Sequence, residues 1–279
     1  MRGIFNKRRN LNSLFTIFII LSLTIFLLSY FDLRLIFLNT IPVGGDTPAH
    51  NYLVRHLKKT LLNNFSIISW AKGWWCGFPM YQYYFFLPYF IMILLNLFLP
   101  LNVAFKIVSI SGIISLPFAV YLSLRWMKFN QNICLIGSIL MLPFLFVDKH
   151  TMWGVNIYST LAGEISNSIS FVLFVLFVGS IYNDMTEKKF SLRSVILITL
   201  LFYSHFFTTV IACAVVVSFL FLFLKDRFID RLKVIFKLGI LTFLLVSWWL
   251  IPLIFKMEYT VELGLSLIHI SEPTRLGMI

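Results

Sequence analysis

The feature that most constrains this chain is a series of uninterrupted apolar runs, several of them near 20 residues long. A helix of that length spans the hydrocarbon of a bilayer and satisfies its own backbone hydrogen bonds there. Only 12% of the 279 residues are charged, whereas a soluble domain carries about 25%. The pattern therefore predicts an all-α, polytopic transmembrane helix bundle and excludes a soluble enzyme, a disordered chain and a disulfide scaffold.

About seven to eight apolar segments are predicted. Residues 11–31 follow a basic N-terminus and have no small-residue cleavage site after them, which indicates a signal anchor with residues 1–10 in the cytoplasm. Residues 32–84 then form a long outer loop, and residues 85–255 form the helix bundle. The apolar runs of that bundle are 85–99, 103–124, 133–147, 165–182, 194–224 and 238–255. The 31-residue run is predicted to split near His205, because one span needs about 20 residues.

The number of crossings leaves two alternatives open. Three apolar runs separate the outer loop from Asp148, and an odd number of crossings cannot join two outer loops. Either residues 85–99, which give only about 22 Å of helix, form a partial or re-entrant segment, or one of the runs is misjudged.

The net charge of +12 lies in short basic blocks between the apolar runs, which is how membrane topology is encoded. We therefore expect the lipid bilayer, and no nucleic acid, as the partner of these residues. Asp184, Glu187, Asp226 and Asp230 are expected to moderate the charge of two cytoplasmic loops. The three cysteines are widely spaced and predict no metal site.

Residues 49–62 have apolar side chains at three- and four-residue spacing, which predicts an amphipathic helix lying in the membrane interface. Thr47 and Pro48 fit an N-cap and the first helical position. Asp46 then sits at the start of this helix, and His50 lies about one turn inside it. A carboxylate and an imidazole at this spacing can share a metal or act as a base and its orienting partner. The alternative is that Asp46 only favours the positive end of the helix dipole.

Two further candidates border apolar runs. Glu164 precedes one run, and ionisable groups at that depth tend to face a cavity, although a carboxylate is also stabilised at a helix N-terminus. His205 lies between two apolar helices, where a buried histidine bonded to a backbone carbonyl is the alternative. We group Asp46, His50, Glu164 and His205 as candidate catalytic residues.

Aromatic residues concentrate in residues 70–84, where Gly73, Gly77 and Pro79 break any helix. Such rings suit an interfacial belt and can also stack on sugar rings. Arg55 and Lys58 could hold a lipid-linked phosphate, the alternative being attraction to anionic headgroups. The candidate substrate-binding residues are Arg55, Lys58, Trp74, Trp75, Tyr81 and Trp153.

The last 15 residues, 265–279, resemble an in-frame translation of a sequencing-library adapter and its flanking primer. We interpret them as an artefact and exclude them from functional argument. The native chain is then expected to continue beyond Gly264.

The chain resembles a family of bacterial integral membrane proteins labelled "6-pyruvoyl-tetrahydropterin synthase-related domain". The resemblance is carried by five short motifs: Gly44-Gly-Asp-Thr-Pro-Ala-His50, Gly77-Phe-Pro79 leading to Pro88, Trp153-Gly154 with Leu161-Ala-Gly-Glu164, Ser204-His205, and Trp248-Trp249 with Pro252. More distantly, the architecture resembles the C-type glycosyltransferases. That resemblance implies transfer of a sugar from a polyprenyl-phosphate carrier, with Asp46 as the aspartate of the first outer loop. The sequence has no Asp-x-Asp motif, so the residues themselves specify no cofactor and the requirement for a divalent metal is left open.

The leading hypothesis is therefore a glycosyltransferase-like protein of the bacterial cytoplasmic membrane, with a lipid-linked donor and an unknown acceptor. The competing hypothesis is a protein without enzymatic activity, either a transporter or flippase or a partner in an envelope assembly. A transporter needs a polar path through the membrane, and the intramembrane runs hold few ionisable groups apart from Lys106.

Overall fold

The computed structural model describes residues 2–74, 76–149, 154–222 and 227–259, with side chains from residue 13 onward. These residues form twelve α-helices and two short strands. The first half contains α1 (Arg2–Ser29), α2 (Leu33–Phe37), α3 (Thr47–Asn64), β1 (Ser69–Ala71), β2 (Phe78–Met80), α4 (Leu87–Leu95) and α5 (Leu101–Trp126). The second contains α6 (Gln131–Ile139), α7 (Met141–Leu145), α8 (Ile157–Ala162), α9 (Ile165–Glu187), α10 (Leu192–Ser204), α11 (Phe206–Leu222) and α12 (Phe228–Phe255).

The nearly all-helical architecture confirms the predicted fold class at that level. Within the described ranges, three helices are long and apolar enough to cross a bilayer, namely α5, α9 and α12. Shorter apolar helices cover Ser13–Ser29, Gln131–Leu145, Leu192–Ser204 and Phe206–Leu222, so the count of seven to eight spans stays a prediction. The predicted split is confirmed, because His205 is extended and separates α10 from α11.

Small residues let α5 and α9 pack closely. A Cβ added at Gly112 would lie 2.3 Å from Ser168 Oγ, and one added at Gly179 would lie 2.5 Å from Ser123 Oγ. Such positions allow helix backbones to approach in a membrane. Because Gly112 precedes Ser123 as Ser168 precedes Gly179, the two helices run parallel.

This parallel pair defines two ends of the bundle. We call the end with the starts of α5 and α9 the loop side, and the end with Trp126 and Glu187 the basic side. Two hydrogen bonds assign the ends of further helices to these sides. Ser204 Oγ at the end of α10 donates to Ser166 O on the loop side, and Arg231 near the start of α12 donates to Met185 O on the basic side.

The short α4 explains the odd count of apolar runs. Its nine residues give about 14 Å of helix, too little to cross a bilayer, and a turn at Asn96 ends it. Only α5 and the pair α6–α7 then run between the two ends of the bundle before residue 148. The first loop and residue 148 therefore both lie on the loop side. The structure thus supports the partial-segment alternative.

Helix α3 packs its inner face on the core around Tyr89 and Met92. Its N-cap is Asp46 rather than the predicted Thr47, and Pro48 is the second helical residue. The helix therefore starts one residue earlier than expected. A proline at the second helical residue is tolerated, because the amide N–H groups of the first turn have no partner within the helix. Strands β1 and β2 form an antiparallel pair in the aromatic segment, which the sequence analysis did not predict.

One prediction about the basic side is wrong. Asp184 is only 2% exposed, and its carboxylate accepts hydrogen bonds from Ser191 Oγ at 2.7 Å and Ser194 Oγ at 2.6 Å. It ties α9 to the start of α10 instead of moderating the charge of a solvated loop.

Candidate functional site

Two distant segments meet at Asp46. Its backbone N–H donates to Ala162 O at 2.8 Å, which joins the start of α3 to the turn between α8 and α9. Gly163 in that turn has φ +132, and an added Cβ would lie 2.8 Å from the Cβ of Asp46. A glycine is needed here both for the backbone angle and for the close approach. The contact brings Asp46 next to the residue that follows, Glu164.

A cavity of about 420 Å³ opens beside this contact. Its lining residues are Asp46, Ala49, His50, Leu53, Trp74, Phe78, Met80, Tyr84, Phe85, Gly163, Glu164, Ser166 and His205. We call it the carboxylate pocket. It contains all four candidate catalytic residues, which the sequence places in three separate regions. Among the described residues, the lining includes two carboxylates, two imidazoles and several aromatic rings, and no lysine or arginine.

The Asp46 carboxylate is not used to cap the helix, because its side chain makes no capping hydrogen bond. The alternative interpretation, in which Asp46 only favours the positive end of the helix dipole, needs no such bond and stays open. The backbone of Asp46 holds the turn, and the side chain lines the pocket.

His50 is anchored deep in the pocket wall. Its Nδ1 lies 2.6 Å from the hydroxyl of Tyr89, and the two rings stack with centroids 6.0 Å apart. Burial lowers the pKa of His50, while the Asp46 charge and a hydrogen bond with the Gly163 backbone oppose that shift. His50 is therefore predominantly neutral at neutral pH, and its contacts hold it in place.

Glu164 is electrostatically coupled to Asp46. Burial raises the pKa of Glu164, and the negative charge of Asp46 raises it further, while a hydrogen bond from Asn167 acts in the opposite direction. Two carboxylates in one partly buried site favour keeping a proton on one of them. Burial also raises the pKa of the Tyr84 hydroxyl, as do the charges of Glu164 and Asp46, so this phenol stays neutral.

His205 lines the opposite part of the pocket. Its Nδ1 lies 2.8 Å from Thr208 Oγ1, and its ring lies 5.3 Å from that of Phe85. Burial lowers the pKa of His205. The partner of Nδ1 is thus a hydroxyl one turn into α11, rather than the backbone carbonyl of the alternative interpretation.

The candidate substrate-binding residues are only partly brought together. Trp74 lines the carboxylate pocket, whereas Arg55, Lys58 and Tyr81 do not. Tyr81 is fully buried and donates to Leu53 O at 2.7 Å, which is a packing role. Trp75 and Trp153 lie outside the residues that the structure describes.

Arg55 occupies a different face of α3. Its side chain donates to Asn51 Oδ1 and Asn102 Oδ1, both at 2.8 Å, and Asn102 in turn donates to Asn39 Oδ1. This network lies at the start of α5. The predicted phosphate contact of Arg55 therefore cannot be inside the carboxylate pocket.

A second cavity, a groove of about 530 Å³, lies behind the pocket wall. Its lining residues are Phe31, Asp32, Leu35, Ile36, Thr40, Ile41, Pro42, Val43, Thr47, Phe105, Lys106, Ser109, Ile110, Thr160, Leu161 and Ile165. We call it the apolar groove. Lys106 Nζ donates to Leu35 O and Leu38 O at 2.5 and 2.6 Å near its polar end. Thr47 and Leu161 line the groove, whereas Asp46 and Gly163, which lie one and two residues away from them in the chain, line the carboxylate pocket. One thickness of chain therefore separates the two cavities.

The sequence analysis did not include three residues among its candidates: Tyr84 and Gly163, which line the pocket, and Tyr89, which contacts His50. Tyr84 was one of many aromatic residues in its segment, and Tyr89 lies in an apolar run. Their roles depend on how α4 packs against α3. Gly163, which precedes Glu164, was the available signal in the sequence, because a glycine permits the positive φ that the turn has.

A metal site is not preformed. No group of three or more His, Cys, Asp or Glu side chains is placed to hold a metal ion within the described ranges. A divalent ion in the carboxylate pocket would have Asp46 and Glu164 as its protein ligands and would need oxygen ligands from substrate or water.

A family model described as "6-pyruvoyl-tetrahydropterin synthase related domain; membrane protein" matches residues 81–264. The chain belongs to this family. The match contains Glu164 and His205, while Asp46 and His50 lie upstream of it. No curated protein and no solved structure matches the chain. As a member of the family, this protein is a membrane protein.

Proposed function

We propose that this family member is a glycosyltransferase that transfers a sugar from a polyprenyl-phosphate carrier to an acceptor hydroxyl. The reaction would take place at the outer face of the bacterial cytoplasmic membrane. The observation that carries the proposal is the meeting of Asp46 and Glu164 in one aromatic-lined pocket on the loop side.

The lining of the carboxylate pocket supports a neutral polyol as its occupant. Carboxylates accept hydrogen bonds from hydroxyl groups, and the rings of Trp74, Phe78 and Tyr84 offer flat apolar surfaces to a sugar. Because the described part of the lining contains no lysine or arginine, a phosphate is disfavoured there. The sugar, rather than its phosphate, is therefore the part of the donor that fits the pocket.

The apolar groove supports a lipid-linked donor. Its walls are mostly aliphatic and aromatic, and Leu35 and Ile41 beside it are more than half exposed, as suits contact with lipid chains. Arg55 and Lys106 lie near its polar end through Asn102, Asn39 and Thr40. A polyprenyl chain in the groove would place its phosphate near these cations, and its sugar would have to pass round the single thickness of chain between the cavities to reach Asp46.

The proposed step uses general base catalysis. Asp46 accepts the proton of the acceptor hydroxyl, and the acceptor oxygen forms a bond to the anomeric carbon. The bond between that carbon and the phosphate oxygen breaks, and polyprenyl phosphate leaves with the bonding electron pair. Glu164 hydrogen-bonds the sugar hydroxyls, while His50 acts as a positioning residue, because its contacts to Tyr89 and Gly163 hold the turn against α3.

The side assignment follows the positive-inside rule. Lys188, Lys189 and Arg193 cluster on the basic side, which supports a cytoplasmic position for that side in this proposal. The N-terminus would then be cytoplasmic, because α1 runs from the basic side towards the loop side, where Tyr30 packs on Phe146.

The test is transfer of labelled sugar from a panel of polyprenyl-phosphate sugars by the complete protein in proteoliposomes. Asp46→Asn should reduce the rate by at least about 100-fold, in line with the loss of a general base, and leave membrane insertion intact. Asp148→Asn is the matched control, because Asp148 is exposed on the same side. Transfer at the wild-type rate by Asp46→Asn would refute the assignment. Accumulation of a labelled solute that does not depend on Asp46 would favour the transporter alternative.

A further inference from the structure

A separate cavity of about 380 Å³ lies on the basic side, between the α9–α10 connection and the start of α12. Its lining residues are Glu187, Lys188, Lys189, Phe190, Arg227, Asp230, Lys233, Val234 and Lys237. We call it the basic pocket. Five cationic side chains and two carboxylates face it, and they come from two segments that are distant in sequence.

Both carboxylates of the basic pocket already have cationic partners. Glu187 pairs with Lys128, a residue outside the pocket, and Asp230 pairs with Lys233 at 3.3 Å. The described part of the pocket therefore keeps an excess of positive charge after these pairings. Lys189, Arg227 and Lys237 are exposed and contribute to this excess.

Other cations on this side are committed to internal contacts. Arg193 lies 4.0 Å from the ring centroid of Trp126 and donates to Ser180 Oγ, and the buried Arg231 donates to Met185 O. These side chains stabilise the helix ends. The exposed side chains of Lys189, Arg227 and Lys237 instead line an open cavity, which is the arrangement of an anion-binding site.

The surroundings of the basic pocket indicate what kind of anion fits. Phe236 and Ile229 on α12 are 69% and 62% exposed, and Leu192 at the start of α10 is 64% exposed. Apolar surface therefore adjoins the cationic cavity at the end of the bundle. A molecule that has both a phosphate group and hydrocarbon chains satisfies both features.

We propose that the basic pocket binds the headgroup of an anionic phospholipid, whose acyl chains lie along the exposed apolar faces of α10 and α12. Juxtamembrane lysines and arginines attract such headgroups, and basic pockets between membrane helices bind them specifically. The proposal is independent of the chemistry of the carboxylate pocket, which lies at the other end of the bundle.

The test uses the full chain in detergent and measures bound lipid by native mass spectrometry, with cardiolipin or phosphatidylglycerol against phosphatidylcholine. Lys189→Gln/Lys237→Gln should weaken binding of the anionic lipids by about 30-fold without changing that of phosphatidylcholine. Lys59→Gln/Lys72→Gln removes the same charge from exposed positions on the loop side and should leave binding within about twofold. Lys189→Arg/Lys237→Arg keeps the charge and should bind as the wild type does.

Three outcomes would overturn the proposal. The first is equal weakening by the basic-pocket variant and by the loop-side control, which would indicate a nonspecific charge effect. The second is no weakening by the basic-pocket variant. The third is displacement of the lipid by inorganic phosphate at the concentration at which phosphate itself binds, which would identify a site for a free anion.

Discussion

The contact between Gly163 and Asp46 can be tested by adding one methyl group. Gly163→Ala places a Cβ 2.8 Å from the Asp46 Cβ and 3.3 Å from its backbone N and Cα. Real Cβ contacts are not this short, so the turn and the start of α3 must move apart. Because Asp46 lines the pocket, that movement should change both stability and activity.

Gly44→Ala is the matched control. Gly44 has φ +119, close to the +132 of Gly163, but an added Cβ there has no atom within 4 Å. Both variants carry the cost of a side chain at positive φ, about 1–3 kcal/mol. Only Gly163→Ala adds the cost of forcing atoms into a filled space, about 1–3 kcal/mol more.

The assay is the free energy of unfolding in mixed micelles, followed by tryptophan fluorescence, for the wild type and both variants. Gly163→Ala should be less stable than Gly44→Ala by about 1–3 kcal/mol. It should also lose more of its transfer activity, because the catalytic geometry depends on the contact. Equal stability of the two variants, within about 0.5 kcal/mol, would refute the close approach of the two segments.

Three further predictions concern the pocket and the helix packing. Tyr89→Phe removes the hydrogen bond to the buried imidazole and should cost about 1 kcal/mol; an unchanged thermal midpoint would contradict this. Because the pKa of Glu164 is raised, the folded state disfavours its ionised form, so Glu164→Gln should stabilise the protein at neutral pH. That gain should shrink as the pH falls through the pKa, and melts across an acidic-to-neutral series check the sign. Gly112→Ala should destabilise the protein by about 1–3 kcal/mol. Gly239→Ala, with open space around the added methyl group, should be neutral or stabilising by up to about 1 kcal/mol. Similar unfolding curves for the two variants would argue against the α5–α9 packing.

Much of the fold follows from periodicity and hydrophobicity. The apolar runs predicted the helices, and the polar Ser204-His205 pair predicted the break between α10 and α11, because a single span cannot use 31 residues. What the runs could not predict was the direction of packing. The parallel arrangement of α5 and α9 depends on Gly112 and Gly179 meeting serines far away in sequence, a pairing with no local signal.

The candidate site was predictable in its residue types but not in its arrangement. Few acidic residues lie outside the basic loops, and Asp46 and Glu164 are two of them that also stand next to predicted helix starts. The residues that would bind the phosphate were harder to predict, because a cation on an amphipathic helix can face several neighbours. Arg55 donates to Asn102, and this contact could be predicted only with knowledge of how α3 packs.

The shared pocket of Asp46 and Glu164 is the central claim, and the pKa of Glu164 tests it most directly. Nuclear magnetic resonance of the protein with ¹³C-labelled glutamate carboxyls, in lipid nanodiscs, would follow this titration in the wild type, Asp46→Asn and Asp148→Asn. We expect a raised pKa of Glu164 in the wild type. In Asp46→Asn the pKa of Glu164 should be lower than in the wild type, and in Asp148→Asn it should equal the wild-type pKa. The same pKa of Glu164 in all three proteins would contradict the central claim.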